Sequence, residues 1–429
     1  SDPRILGIVS GLFFCFGLVP GLPTFPFFII AAASGYMAFT KYKDKTNVKT
    51  EEETKKTEDE QQKKAVTQNK KRASREDVMA LLSVEPIEIE IGYRLVPLLD
   101  AEQGGDLLER IAQIRKQTAL DFGIVLPSIR VRDNLQLSPN VYNIKLKGIP
   151  VEVGEVYPEK FLAMNAGGDA NITGLDGLKA VEPAFGLPSL WINERDKEFA
   201  ETEGFTVVSP SAVVSTHLTE VIKKNAFNIL TRADVQQLVD NVKKTAENLV
   251  EDLQKESSTA EVQIILQNLL KERVSIRDLH TILEAISTYS RISKNQDFIT
   301  EQCRLALARS ICRQNLADTG ELLAITLAPE VESTIMEGIS KDGQNLTLDP
   351  VFTTGLIDNL NSEIEKAISS TGNQPVILCS GPIRLAFRKL LERTFPQISI
   401  LSYNEIATGI NAKSVGVVRV KTKQVTGNG

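Results

Sequence analysis

Two runs of almost unbroken apolar residues, 5–19 and 24–39, open the chain and are parted by Pro20-Gly21-Leu22-Pro23. Proline and glycine punctuate helices, so the pattern predicts a helical hairpin. Each run falls short of the roughly 20 residues that a helix needs to cross a bilayer, and the expectation is two tightly joined spans that share the depth of the turn. Arg4 precedes the first run and Lys41, Lys43 and Lys45 follow the second, so the positive-inside bias places both ends in the cytoplasm. Neither acidic nor basic residues occur between Ile5 and Thr40, whereas an ion relay needs ionisable groups at membrane depth; the pair reads as an anchor. A cleaved signal peptide is the competing reading, since Ala31-Ala32-Ala33 imitates a cleavage site, but about 35 nearly continuous apolar residues exceed an ordinary apolar region of about 7 to 15. The chain begins at Ser1 without a methionine and turns apolar at once, as a segment of a longer protein would.

From residue 43 to residue 72 the only apolar residues are Val48, Ala65 and Val66, too few to offset chain entropy, and the stretch reads as a tether. Ser74-Arg75-Glu76-Asp77 resembles a capping box opening a short helix through Leu82. Residues 85–99 alternate as a strand should, Gly104-Gly105 breaks the chain, and Leu108, Ile111, Ile114 and Leu120 carry helical spacing through 107–122. Strands follow at 129–131, 141–146 and 150–156. Residues 157–204, rich in Gly, Pro and Asn, suggest a short-stranded insert, and Ser209-Pro210-Ser211 caps a helix running to about Leu230. Between 232 and 314 helical periodicity dominates, as in Val262, Ile265, Leu266, Leu269 and Leu270. After Thr319-Gly320 the strand-and-helix pattern returns at 322–327, 349–369, 376–379, 383–393, 398–401 and 415–420. The whole predicts a multidomain α+β protein. Its parts are a transmembrane helical hairpin at 1–42, a disordered linker with a short helix at 43–83, and a first α/β subdomain at 84–156 plus 205–230. An inserted subdomain at 157–204, an all-helical domain at 231–314, a C-terminal α/β domain at 315–421 and a tail at 422–429 complete it.

Composition narrows the chemistry. With 49 basic against 55 acidic residues the net charge is −6, which argues against a polyanion-binding surface over the whole molecule and removes nucleic acid as a partner. Cys15, Cys303, Cys312 and Cys379 form no C-x-x-C pair, and only His217 and His280 could join them, so neither a zinc site nor a disulfide framework is expected. No phosphate-cradling G-x-x-x-x-G-K-[ST] string occurs. Asp169-Ala-Asn171-Ile-Thr173-Gly174 starts like a calcium loop but carries Ala180 where a bidentate glutamate belongs. Residues 262–286 imitate a DNA-reading helix-turn-helix, yet Lys271, Arg273 and Arg277 are offset by Glu261, Glu272, Asp278 and Glu284. Cys379-Ser380-Gly381-Pro382 lies between a strand and a helix holding Arg384, where backbone N–H groups could hold an anion; the plainer reading is an ordinary turn with proline at the first helical position. Catalytic residues, metal and cofactor are therefore all expected to be absent.

Glu182-Pro183-Ala184-Phe185-Gly186-Leu187-Pro188-Ser189-Leu190-Trp191-Ile192 concentrates the only tryptophan and a phenylalanine in a turn held by two prolines and a glycine, and is either a small core or a docking surface. This stretch, together with Gly92-Tyr-Arg-Leu-Val-Pro-Leu-Leu-Asp100, Arg130-Val-Arg-Asp-Asn134, Gly154-Glu-Val-Tyr-Pro158, Val213-Val-Ser-Thr-His-Leu218, Leu266-Gln-Asn-Leu-Leu270 to Arg277-Asp278-Leu279, and Leu401-Ser-Tyr-Asn-Glu405, closely resembles the FlhA/LcrD/InvA family of type III export-gate proteins. The flagellar branch is closer than the virulence-secretion branch, which stays as the alternative beside an enzyme using the 379–384 turn. The resemblance implies a multi-pass bacterial inner-membrane protein of eight membrane helices, of which this chain would hold the last two. It further implies a cytoplasmic α/β domain with a ferredoxin-like insert, assembled into a nonameric ring that docks export chaperones with their cargo and meets other export-gate and export-ATPase complex proteins. The family's docking cleft uses an Asp-Pro-Ala-Phe turn and the threonine of a Thr-His-Leu helix, which carry over to Glu182, Phe185 and Thr216, with Asp replaced by Glu. Trp191, the other aromatic of the stretch, completes the expected chaperone-binding set.

Overall fold

The computed structural model describes residues 84–165, 175–340 and 345–420, with residues 8, 11, 12, 14, 15, 29, 30, 32–37, 39 and 40 of the N-terminal segment. The chain divides into two compact units, Ser1–Val84 and Glu85–Gly429. In the first, the described residues up to Thr40 are helical and their large apolar side chains, among them Ile8, Leu12, Ile29 and Phe39, are exposed. Among the described residues no helix is long and apolar enough to cross a membrane. The expected turn at 20–23, the tether at 43–72 and the helix at 74–82 lie outside the described residues.

The second unit begins with β1 (Ile87–Ile91), whose Ile87, Ile89 and Ile91 are buried on one face while Glu88 and Glu90 pair with Arg132 and Lys145. The alternating run does not continue as a strand to residue 99. Tyr93–Leu99 is a 3-10 helix, in which Pro97 has no N–H for a strand ladder; Gly92 before it lets the chain pass close to Ser138, whose carbonyl a Cβ would meet at 2.3 Å. After α1 (Leu107–Phe122) come β2 (Ile129–Asp133), β3 (Val141–Leu146) and β4 (Ile149–Glu155), in the order β2-β1-β3-β4, with β1 and β2 parallel and the others antiparallel. The buried stripe of α1 is Leu107, Ile111, Ile114, Thr118 and Phe122, whereas Leu108 and Leu120 are exposed. The helix ends at Gly123, in the left-handed region at φ 75°; there the Arg277 backbone is so near that a Cβ would meet it at 2.5 Å, and Ile276 N–H donates to the Phe122 carbonyl at 2.9 Å.

A second sheet is inserted next: β5 (Phe161–Met164), β6 (Leu178–Val181), β7 (Pro188–Ile192), α2 (Lys197–Thr202) and β8 (Thr206–Val208), ordered β6-β7-β5-β8 and antiparallel throughout. Ser209 then accepts from Ala212 N–H and starts α3 (Pro210–Ile229) with proline at its first turn. Helices α4 (Arg232–Lys243), α5 (Glu247–Glu256), α6 (Thr259–Lys271), α7 (Leu279–Tyr289), α8 (Gln296–Ala306) and α9 (Ala308–Gln314) follow, α4 and α6 each opened by a capping box, Thr231/Asp234 and Ser258/Glu261.

The chain closes in a wholly parallel sheet ordered β11-β10-β9-β12, from β9 (Leu322–Leu327), α10 (Pro329–Gly338), α11 (Pro350–Thr371), β10 (Val376–Cys379), α12 (Gly381–Leu391), β11 (Ile400–Ser402) and β12 (Ala412–Val418). Covered on both faces, its inner strands are continuous apolar runs. Leu322, Ala324, Val376, Leu378 and Leu401 face a core shared with the helices and the first sheet, while Ile325, Leu327, Ile377, Cys379 and Ile400 face a core under α11 and α12. The inserted sheet keeps a small core of its own from Ala163, Leu190, Ile192 and Ala200; Leu162 and Trp191 point the other way, into the large one.

Candidate docking site

The Glu182 side chain organises the turn that joins β6 to β7. Its two carboxylate oxygens accept from Ala184 N–H at 2.9 Å and Phe185 N–H at 2.7 Å. Its own backbone N–H donates to the Leu187 carbonyl at 2.8 Å, and Gly186, at φ 71°, donates back to the Glu182 carbonyl at 2.9 Å. With Pro183 and Pro188 fixing the flanks, the turn satisfies itself, and Glu182 is only 3% exposed. What it presents is apolar: Phe185 is 53% exposed, with Val181 and Leu187 beside it in sequence also exposed.

The predicted set therefore divides. Phe185 on the turn and Thr216 on α3 are exposed, whereas Glu182 is spent on its own loop and Trp191 is buried in β7, edge-on to Tyr157 at 5.6 Å. Next to Thr216, His217 is buried and its Nδ1 lies 2.8 Å from the Tyr142 hydroxyl. Burial holds the imidazole below its ordinary range, although the Glu152 and Glu182 carboxylates pull it upward, and burial together with those two carboxylates raises the Tyr142 phenol. Sequence reasoning left Tyr142 and the apolar neighbours Val181 and Leu187 out of the set. Only Gly154, over which the Tyr142 ring lies so closely that a Cβ would stand 2.3 Å from the phenol, carried a signal in advance.

The competing turn at 379–384 is filled by the protein's own groups. Ser380 N–H, at the N-terminus of α12, donates to the Glu332 carboxylate at 3.0 Å, and burial pushes the Cys379 thiol up, away from thiolate. Arg384 is wholly buried: its Nη1 reaches Glu272 at 2.6 Å and its Nε reaches Glu301 at 2.6 Å. Arg304 joins the same cluster, 3.2 Å from Glu272 and 2.7 Å from Glu405. Burial alone would raise the Glu272 carboxyl, but Arg304 and Arg384 outweigh it and bring it down to about 2. Arg277, in the stretch that imitates a helix-turn-helix, donates from its guanidinium to the Leu120 carbonyl at 3.2 Å. The calcium-like string at 169–174 lies outside the described residues. Among the described residues no group of three or more His, Cys, Asp or Glu could hold a metal.

Among the described residues, three four-stranded sheets packed with a set of helices, and an exposed apolar turn between two strands of the inserted sheet, define an α/β protein of several subdomains. The chain belongs to the FHIPEP family, whose model matches residues 1–411. It is 41% identical over 350 residues to the flagellar biosynthesis protein FlhA of Bacillus subtilis (strain 168), covering 81% of this chain and 51% of that one. To FlhA of Borreliella burgdorferi it is 36% identical over 425 residues, 97% of this chain and 58% of the relative. The chain thus spans about half the length of the curated relatives it matches. Among solved structures, the Chlamydia pneumoniae CdsV protein superposes with a TM-score of 0.71 at 26% identity, over 79% of this chain and 99% of that one. A nonameric EPEC SctV-C structure gives 0.64 at 23% identity, over 78% and 99%. The export-gate resemblance carried by residues 92–100, 182–192 and 213–218 holds, and with it a fold like that of the SctV C-terminal domains.

Proposed function

We propose that the chain is part of the gate of flagellar type III protein export, forming a cytoplasmic ring that docks export chaperones with their cargo and passes substrates to the membrane channel. The observation that carries this is the self-capped turn, which spends the Glu182 charge on holding Phe185 out from the surface. Phe185 supplies the apolar anchor, Thr216 a polar contact, Glu182 the orientation of the turn and Trp191 the core behind it. Identity of 41% and 36% to the flagellar biosynthesis proteins of Bacillus subtilis and Borreliella burgdorferi supports the flagellar branch. The nonameric SctV-C and a structure of CdsV in complex with CdsO support ring assembly and further partners.

In this reading the hairpin anchors the chain in the bacterial inner membrane and the tether leads to the division proposed from sequence. The insert is the ferredoxin-like unit, supported by its strand order; numbered within the insert, it runs 4-1-3-2. The protein acts without cofactor and not as an enzyme. Fully burying a phenylalanine is worth about 1.5 to 3 kcal/mol, so Phe185→Ala is expected to weaken binding of an export chaperone carrying its late substrate roughly ten- to hundredfold. Unchanged affinity in a titration removes the docking role from this surface.

A further inference from the structure

Between the first sheet and α3 lies a buried polar pair, Tyr142 on β3 and His217 on α3. Both are enclosed, at 0% and 3% exposure, with rings edge-on at 5.8 Å and 73°. Nδ1 is the partner of the Tyr142 hydroxyl, 2.8 Å away. The phenol reaches this place because β4 carries Gly154 beneath it, where any Cβ would collide with the ring. Titratable groups face His217 from every side: Tyr142 from β3, Glu152 from β4, Glu182 from the docking turn, and Lys224 from α3 itself. Lys224 and Glu152 neutralise each other at 3.1 Å, while both oxygens of Glu182 are engaged by the amides of Ala184 and Phe185.

The exposed Thr216 stands one residue from this pair. A buried donor deprived of its acceptor is penalised far more than an exposed one, so α3 cannot roll against the first sheet without breaking the Tyr142–His217 bond. Resting on the docking reading, we propose that Tyr142 and His217 are positioning residues for that surface: their bond sets the rotation of α3, and so the place of Thr216 relative to the Glu182 turn.

The chemistry of the pair gives it a direction. In the Nε2–H tautomer of the neutral imidazole, the hydroxyl donates to Nδ1. Protonation puts a hydrogen on Nδ1, the hydroxyl must turn round to accept, and the bond that sets the rotation of α3 is remade with its polarity reversed. Burial favours the neutral form, so the surface is intact at neutral pH and loosens on acidification. Tyr142 and His217 touch no partner themselves.

The test uses the full chain in detergent and an export chaperone carrying its late substrate, with affinity followed from about pH 8 to about pH 5.5. Hydrogen exchange of the peptide spanning 182–187 is read alongside. Tyr142→Phe, which removes only the hydroxyl, is expected to weaken docking about three- to tenfold at neutral pH and to speed exchange at Ala184 and Phe185. His217→Asn, whose amide oxygen stands near the place of Nδ1, is expected to keep the neutral-pH affinity and to lose the acid step of the unaltered chain. Wild-type affinity, pH profile and exchange in both variants overturn the proposal. Phe185→Ala serves as the separate control: if it leaves affinity unchanged the docking reading fails, and the exchange of the turn alone then decides whether the pair positions it.

Discussion

The Glu182 carboxylate accepts from two successive amides of its own loop, and a loop held this way has lost most of the conformations in which Phe185 would fold back onto the sheet. Removing the carboxylate leaves two N–H groups seeking water and is expected to cost about 1 to 3 kcal/mol of local order. Glu182→Ala should therefore weaken docking nearly as much as loss of the Phe185 ring, through disorder and not through a lost contact. Exchange at Ala184 and Phe185 should rise in step, and slow exchange in a Glu182→Ala protein would contradict the capping role. This division of labour was not legible from residue types. A glutamate, a phenylalanine and a tryptophan between prolines mark a surface or a core equally well. Which side chain points inward is settled by pairing: Trp191 faces the large core because it sits opposite Leu162 of β5, a strand distant in sequence.

At the level of elements, the signals that depend on local repetition were readable and those that depend on a distant chain were not. The apolar runs of β9 and β10 announced strands, and Ser209-Pro210 announced α3. The strand expected through residue 99 stops at Ile91, and the chain passes at Gly92 close to Ser138, some forty-five residues away and invisible to periodicity. The same holds for the ion cluster that clasps α6 and α8 to α12. Glu272, Glu301 and Arg304 come from the helical unit and Arg384 from the parallel-sheet unit, and nothing in their spacing betrays it. Removing one member of a buried pair strands its partner, so Arg384→Ala is expected to destabilise by about 3 to 5 kcal/mol, read as a fall in the urea midpoint. A loss below about 1 kcal/mol would mean that water reaches the cluster. Because the Glu272 carboxyl is held down at about 2 against an ordinary 4.5, its contribution is complete above about pH 4.5 and is lost as pH falls towards 2. Acid titration of stability should show that loss in the unaltered protein and a flatter limb in Glu272→Gln.

For the whole molecule, the membrane anchor was suggested by hydropathy, since apolarity over some thirty-five residues needs no partner to be recognised. The proposed ring was not, because assembly depends on complementarity between copies, which leaves no periodic trace in one chain; nine-fold assembly is an expectation that came only with the family resemblance. The composition of residues 43–72 predicts a tether. A coil of thirty residues has an end-to-end distance of roughly 30 Å, so a tether of that kind touching a neighbouring copy would raise the effective concentration of the contact into the millimolar range. Deleting residues 43–72 is therefore expected to shift the population from rings towards smaller species when both forms are counted by mass photometry at one protein concentration, while Phe185→Ala leaves the ring population unchanged. Equal ring populations with and without the tether would confine it to the role of a spacer, and the contacts that close the ring would then have to lie wholly between the folded units.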